Sequence, residues 1–514
     1  MSPAPGELPP WLQPLPGAEQ MRAVDAWAIE EQGVPSLDLM ERAGTAVARI
    51  MAQRAPDGRI AVVCGKGNNG GDGLVAARVL REDGRDVTVL CVASPEEFQG
   101  DPRANLERLP GDPPAPFAPP AVDGAAGVVD ALLGTGFSGA PREPVASAIE
   151  AINRSEGRVV AVDVPSGVDA SSGRVEGAAV RADATATFHA AKPGLYVAPG
   201  KACAGEVRVI DIGIPRGAPI EAEVGLILPT VLAEVPRRQT ASTKFSEGAV
   251  MVVGGSRGLT GAPCLTSEAA ARAGAGYVTA LIPESLNLVF ELRLLEAMTR
   301  PLPDRDGALG TDALELVLEA APRADAVVLG PGLGRSDETL ELARALASRL
   351  EAPLLLDADG LNAHAGRLGD LAARQAPTVL TPHAGELGRL LGIESRAVES
   401  DRLGHVREAA AAAGSVMVLK GDDTLVADPD GRVGVSAGGA PALATAGTGD
   451  VLSGAIGAML AKDVDPYTAA CAGVQLHAGA GRRAADRRGA DGVVARDVVE
   501  ALPLARADTA PAPR

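Results

Sequence analysis

Four aspartates of this 514-residue chain, Asp72, Asp130, Asp163 and Asp450, stand where an expected strand gives way to a loop or an expected helix begins. The first belongs to Gly65-Lys66-Gly67-Asn68-Asn69-Gly70-Gly71-Asp72-Gly73, which follows the apolar run Ile60–Cys64 and leads into the helical stretch Leu74–Leu80. Its five glycines permit close backbone approach, and amides at a helix start favour an anion. Gly65-x-Gly67-x-x-Gly70 formally matches the dinucleotide fingerprint. A classical dehydrogenase also needs an acid at the end of the next strand, and Val87–Val92 runs instead into Ala93-Ser94-Pro95. Asp130 opens the stretch through Leu133, Gly134, Thr135, Gly136, Phe137, Ser138 and Gly139 to Ala140, and Asp163 opens Val164-Pro165-Ser166-Gly167-Val168-Asp169. Ligands of open α/β sheets bind at the carboxyl ends of strands, so these three loops are expected to share one crevice. Their Asn, Asp and Ser oxygens suit a hard cation better than zinc.

A different chemistry is written in Ala446-Gly447-Thr448-Gly449-Asp450-Val451-Leu452-Ser453-Gly454. Glycines feeding a helix start can form an anion hole for a transferring phosphoryl group, and an aspartate in the first turn can activate an attacking hydroxyl. An aspartate there is otherwise a helix cap. No Gly-Lys-Ser/Thr follows, so this is not a Walker A loop. Further motifs close other expected strands: Gly330-Pro331-Gly332-Leu333-Gly334, Asp357-Ala358-Asp359-Gly360-Leu361-Asn362, Thr381-Pro382-His383-Ala384-Gly385-Glu386 and Lys420-Gly421-Asp422-Asp423-Thr424. With only six lysines against 42 arginines, a lysine inside a motif is notable.

The elements that must position these residues alternate between β and α. Glu19–Glu31 is expected to be helical, and Ser36 is expected to cap a second helix carrying Leu37, Met40, Ala43, Val47 and Ile50. Strands are expected at Ile60–Cys64, Val87–Val92, Val128–Leu132 and Val159–Val164. The proline-rich stretch from Pro215 to Arg238 reads as a junction. Beyond it come strands at Ala249–Val253, Tyr277–Ile282, Ala326–Leu329, Pro353–Asp357, Thr378–Leu380 and Val416–Lys420, with helices at Ala262–Ala273, Glu338–Leu350, Arg402–Ala413 and Asp450–Ala461. The fold class is α/β, with parallel sheets covered by helices in two unlike domains, 15–225 and 236–505.

Composition excludes several classes. The chain exceeds the roughly 250–300 residues of a single core. No apolar run approaches the roughly 20 residues of a membrane span, and Met1–Gln13 lacks the features of a signal peptide, so a soluble, cytoplasmic protein is expected. The net charge of −18 is spread over both halves, which disfavours nucleic acid. Five scattered cysteines and no paired histidine spacing disfavour disulfides and structural zinc, leaving buried reduced thiols.

Met21, Asp25, Gly33–Ser36, Leu39–Gly44, the Asn68–Gly73 loop and Asp163–Asp169 closely resemble NAD(P)H-hydrate epimerases over roughly residues 15–225. That resemblance implies a Rossmann-like three-layer domain in which Asn68, Asn69, Gly70, Gly71, Asp72 and Gly134–Ala140 bind the damaged cofactor. It further implies that Asn69, Asp130 and Ser166 hold potassium and that Asp163 is the acid/base at the substrate. The Gly447–Asp450 run resembles ribokinase-like kinases. Together with Gly261-Ala262-Pro263, Arg272–Gly276 and the motifs above, it makes residues 240–505 resemble the ADP/ATP-dependent NAD(P)H-hydrate dehydratases. Here the resemblance implies that Ala262, Gly332, His383 and Asp450 contact the hydrate, and that Lys420, Gly421, Asp422, Asp423, Thr424 and Gly449 hold the nucleotide. Asp450 would be the base, magnesium the metal, and ADP (or ATP) the co-substrate. Lys244–Gly248 matches the family's entry motif loosely, and Asp359-Gly360 stands where many relatives carry Asp-Ala. The whole implies a bifunctional repair enzyme acting on NADHX and NADPHX, expected as a homo-oligomer. The alternative is a ribokinase-like small-alcohol kinase fused to a non-catalytic binding module.

Overall fold

The computed structural model describes residues 8–507, so the first seven residues of the Met1–Gln13 segment lie outside it. The chain forms two compact units, Pro14–Gly225 and the chain from Leu226 onward, the second joined by Pro9–Gln13.

In the first unit a seven-stranded sheet runs Ala115–Pro116, Val87–Cys91, Ile60–Cys64, Gly127–Ala131, Arg158–Val162, Ala184–Phe188, Glu206–Ile210, and every pairing is parallel. Its central strands read as continuous apolar runs because helices cover both faces. The strand order reverses beside Ile60–Cys64, so the loops after it and after Gly127–Ala131 diverge at a switch-point crevice. The helix Ser36–Arg54 buries Leu39, Ala43, Val47 and Met51 on one face. It meets the helix Asn68–Glu82 so closely that a Cβ on Gly44 would stand 2.5 Å from the Asp72 carbonyl oxygen.

Three sequence expectations shift at element ends. Pro35, in extended backbone, is the cap of the second helix, and Ser36 is its first residue. The first helix is α only over Ala18–Ala26 and continues as a π-turn, Trp27–Glu31. The strand expected through Val164 stops at Val162, because Asp163 turns the chain with φ +63°.

The second unit is built on an eleven-stranded sheet. Strands from Val416–Leu419 through Thr378–Leu380, Leu354–Leu356, Ala326–Leu329, Ala249–Val253 and Tyr277–Pro283 to Met298–Leu302 pair in parallel. Leu425–Ala427 and Val433–Val435 extend it antiparallel, followed by Val224–Ile227 and, at the edge, Leu12–Pro14. Trp11 is buried there, its ring 5.9 Å from that of Tyr467. Among the described residues no helix is long and apolar enough to cross a membrane, and the five cysteines are free, Cys203 being only partly buried.

Candidate functional site

In the first unit the helix Asn68–Glu82 starts at Asn68, so the motif residues are its opening turns rather than a preceding loop. The N–H groups of Asn68, Asn69 and Gly70 belong to the turn that a helix leaves without internal acceptors. The glycines divide their work. A Cβ on Gly65 would sit 2.1 Å from the Leu132 carbonyl oxygen, and one on Gly70 would sit 1.8 Å from that of Gly65. One on Gly73 would press 2.5 Å from Ala131. These three fasten the helix to the sheet; Gly67 faces open space. Asn68, Gly136, Ser138 and Ala140 are exposed, whereas Asp72 is buried.

Asp130, Ser166 and Asn69 come together around Leu133. The Ser166 hydroxyl donates to Asp130 Oδ1 at 2.6 Å and the Ser166 N–H to Oδ2 at 2.8 Å. The Asn69 amide donates to the Leu133 carbonyl at 2.9 Å, and the Leu133 N–H to Ser166 Oγ at 2.9 Å. Burial pushes Asp130 up to about 6, against the bonds from Ser166 and Leu132.

Asp163 has a partner that sequence reasoning missed. Lys192, 1% exposed at its side chain, places Nζ 2.5 Å from Asp163 Oδ1 and also donates to Thr187 Oγ1 at 2.9 Å and the Phe188 carbonyl at 3.1 Å. Thr135 donates to the other carboxylate oxygen and Thr187 to Oδ1 at 3.2 Å. Burial alone would raise Asp163, but the Lys192 charge and these bonds hold it below its ordinary value. Lys192 follows the strand Ala184–Phe188, and only the rarity of lysine in this chain could have singled it out. Two more carboxyls feel the same site. Burial, with Asp163 and Asp25, raises Asp72 well above its usual range. Burial also brings Asp25 to about 6 against the pull of Lys192.

In the second unit Asp450 lies in the first turn of the helix Thr448–Leu460, after Gly447 at φ +90°. Lys420 Nζ donates to Asp357 Oδ1 at 3.0 Å and lies 3.6 Å from Glu386 Oε2. A Cβ on Gly449 would stand 3.7 Å from that same Nζ, so the lysine and the helix start converge. Burial and the charges of Asp357 and Glu386 push Asp450 to about 7, while Lys420 opposes the rise. Asp357 is fixed by Ser453 at 2.8 Å, and its carbonyl oxygen would be 2.0 Å from a Cβ on Gly330.

His383 caps the helix Ala384–Leu391: its Nδ1 accepts from the N–H groups of Gly385 at 3.0 Å and Glu386 at 3.3 Å. Burial, only partly offset by Glu386, lowers its pKa, so the ring is neutral with its proton on Nε2. Ser256 donates to the carbonyl of Gly332, which has φ +61°, at 2.9 Å. Ala262 lies at the start of the helix Gly261–Ala273, and a Cβ on Gly332 would stand 3.4 Å from the Ala262 Cβ, so these two expected contacts are neighbours. Gly360 packs against the Leu329 carbonyl oxygen, 2.5 Å from where its Cβ would be, and Asp359 pairs with Arg335.

A cavity of about 570 Å³ opens beside this cluster, lined by Lys420, Gly421, Asp422, Thr424, Gly449 and an apolar wall including Pro441 and Leu443. Its size lies within the range of small-molecule sites. The Asp423 carboxylate pairs with Arg402 at 3.0 Å, both side chains 3% exposed, and Asp423 is not among the residues that line the cavity.

Residues 250–504 match the family model NAD(P)H-hydrate dehydratase, and residues 36–194 the model YjeF-related protein N-terminus. The chain is 40% identical over 504 residues to the bifunctional NAD(P)H-hydrate repair enzyme of Moorella thermoacetica, covering 95% of each chain. It is likewise 40% identical to the enzyme of the same name from Salinibacter ruber, covering 96% of each. Among solved structures it is similar to the ADP/ATP-dependent NAD(P)H-hydrate dehydratase of Bacillus subtilis co-crystallised with ATP and Mg2+, at 30% identity and a TM-score of 0.47, over 54% of this chain and 95% of that one. With such identity to its relatives along nearly its whole length, the chain belongs to the family of bifunctional NAD(P)H-hydrate repair enzymes.

Proposed function

We propose that residues 15–225 interconvert the R and S hydrates of NADH and NADPH, and that residues 236–505 dehydrate the S form with ADP, giving AMP and phosphate. The observation that carries this reading is that each half holds a partly buried aspartate next to a lysine at a strand-end crevice, Asp163 with Lys192 and Asp450 beside Lys420. The hydrate is a hemiaminal at the ring carbon next to nitrogen. Inverting it requires the hydroxyl to leave and water to return, which positioned carboxyl groups assist.

In the second half Asp450, ionising near neutrality, takes the proton of the hydrate hydroxyl as its oxygen attacks the phosphoryl group. Lys420 and the amides of the Thr448–Gly449 turn face the charge that develops. Phosphate then leaves where hydroxide could not as the ring nitrogen lone pair forms the carbon–nitrogen double bond, and loss of a proton from the adjacent ring carbon restores the dihydronicotinamide. His383 offers its Nε2 proton to the hydrate, beside Ala262 and Gly332. Lys420, Gly421, Asp422, Thr424 and Gly449 hold the nucleotide. ADP ahead of ATP rests on the resemblance of this half to its relatives.

Among the described residues no three acidic, His or Cys side chains are grouped to hold a metal, which fits a magnesium ion carried on the nucleotide phosphates; when bound, it neutralises transferring charge. Asn69, Asp130 and Ser166, with the Leu133 carbonyl, fit potassium: all donors are oxygens, and a fully buried carboxyl at about 6 is relieved by one positive charge. A cytoplasmic location accords with the five free cysteines. A homo-oligomer accords with exposed Leu288, Leu292 and Leu295 near the edge strand Met298–Leu302.

The test follows recovery of reduced-nicotinamide absorbance from mixed R and S NADHX with magnesium, potassium and either nucleotide. Complete recovery, faster than spontaneous epimerisation and with ADP preferred, is expected. Recovery that stops when the S form is exhausted would remove the epimerase assignment. No recovery with either nucleotide would return the second half to a small-alcohol kinase.

A further inference from the structure

Beside the amino ends of the parallel strands Ala249–Val253 and Tyr277–Pro283, away from the strand ends that carry the catalytic motifs, the second unit has another cavity, of about 280 Å³. Lys462, in its wall, lies just past the far end of the helix Thr448–Leu460, about 18 Å from Asp450. Five cations line this cavity, Arg237, Arg238, Arg272, Lys462 and Arg506. One carboxylate answers them: Glu247 meets Lys462 at 2.5 Å and Arg238 at 3.8 Å. Part of the positive charge is structural, since Arg506 donates to the carbonyls of Ala273 at 3.2 Å and Val235 at 3.0 Å. The rest is not. Arg237 gives an N–H to the Arg506 carbonyl at 3.3 Å and Arg238 one to that of Ala275 at 3.1 Å, out of the five N–H groups each guanidinium carries. Arg272 has no hydrogen bond or ion pair among the described residues. In a chain of net charge −18, this is a concentrated positive concavity, which focuses anions.

A second, independent feature adjoins it, in the Lys244–Gly248 motif that the catalytic reading leaves unused. Phe245 is 68% exposed and stacks on Tyr277 with ring centroids 6.0 Å apart. Lys244 Nζ lies 5.0 Å from one centroid and 5.5 Å from the other. Aromatic residues make up only 2% of the chain, and core packing does not account for a ring this exposed. A Cβ on Gly276, next to Tyr277, would stand 2.9 Å from the Glu247 Cβ and 2.2 Å from the Lys244 carbonyl oxygen, so the acid that answers the cations and the aromatic pair share one loop.

We propose that this face of the second unit is a further nucleotide site, whose basic cavity takes the phosphates of a nucleoside di- or triphosphate and whose Phe245–Tyr277 pair takes the base. Guanidinium forks match phosphate oxygens in bidentate geometry. The cavity is smaller than a typical whole-ligand pocket, which suits phosphates held inside and a base laid against the ring outside. Stacking on an aromatic face does not discriminate between bases, so adenine and guanine nucleotides bind alike here.

The test counts ADP bound per full chain by calorimetric titration at low salt, a readout that needs no turnover and so stands apart from the epimerase and dehydratase assignments. Two sites are expected, one beside Lys420 and one here. The second should also take GDP, yield to inorganic pyrophosphate but not to adenosine, and weaken as salt is raised. Phe245→Ala should weaken the second site by about 5–150-fold, the size of a lost base stack, and Arg237→Glu should abolish it. Both substituted side chains are exposed, and binding retained at the first site shows that each variant is folded. A single ADP site per chain, or a second site that neither substitution touches, would overturn the proposal. A second site that Arg237→Glu removes and Phe245→Ala leaves unchanged would also overturn it, as a site for anions with no part for the base.

Discussion

Asp163 and Asp450 are both partly buried aspartates at strand-end crevices, yet their neighbours push them in opposite directions. Asp163 bonds directly to a lysine and stays ionised; Asp450 is surrounded by Asp357 and Glu386, whose charges Lys420 only partly offsets. The base proposed for the second half acts when ionised, so dehydratase kcat/KM should rise with pH through about 7 and level off above it. Lys420→Met, removing the one influence that lowers Asp450, should shift that rise to higher pH in the same profile. Asp450→Asn should cut dehydration by about 10²–10⁴-fold and leave epimerisation at the wild-type rate. Asp423 is a different kind of residue. Asp423→Ala removes one of the two carboxylates paired with the buried Arg402, Glu399 being the other, and should cost about 1–3 kcal/mol in chemical denaturation of the full chain, whereas Asp422→Ala should raise the nucleotide KM with little effect on stability. Adjacent aspartates in one motif look alike in sequence; which of them faces the cavity depends on the partner each finds across the fold.

At the scale of elements, the interior strands were legible almost to the residue: Ile60–Cys64, Ala249–Val253, Ala326–Leu329 and Thr378–Leu380 begin and end as their apolar runs do. A strand buried on both faces is written in one-dimensional composition. The antiparallel strands Leu425–Ala427 and Val433–Val435 and the largely exposed edge strand Met298–Leu302 were not. The Asn68–Gly73 motif was legible as a strand-end feature but not as the opening of a helix. Glycine is a poor helix former, and here close packing on the sheet outweighs that. This separates two substitutions in one motif. Gly70→Ala, forced against the Gly65 carbonyl, should destabilise the first unit by about 1–3 kcal/mol or more, while Gly67→Ala should stay within about 0.5 kcal/mol. Thermal melts of the two variants check the contrast.

For the whole molecule, the chain order misleads about one segment. Pro9–Gln13 precedes the first unit in sequence but belongs to the second, where Trp11 packs beside Tyr467 and the Arg432 guanidinium sits 4.5 Å from the same ring. Trp11→Ala should therefore cost about 3–5 kcal/mol in the second unit. On stepwise heating, dehydratase activity should be lost at a lower temperature than in the wild type while epimerase activity is lost at the wild-type temperature. Equal loss of both would contradict this assignment. The sequence by itself determined the α/β class, the interior strands and the motifs that carry Asp72, Asp130, Asp163 and Asp450, because burial and backbone geometry impose those patterns locally. Only the tertiary structure decided that Lys192 meets Asp163, that Asp423 serves Arg402, and that the first strand closes the far edge of the second sheet. Each is a contact between residues distant in sequence, and its free energy comes from burying and pairing groups that no local pattern brings together.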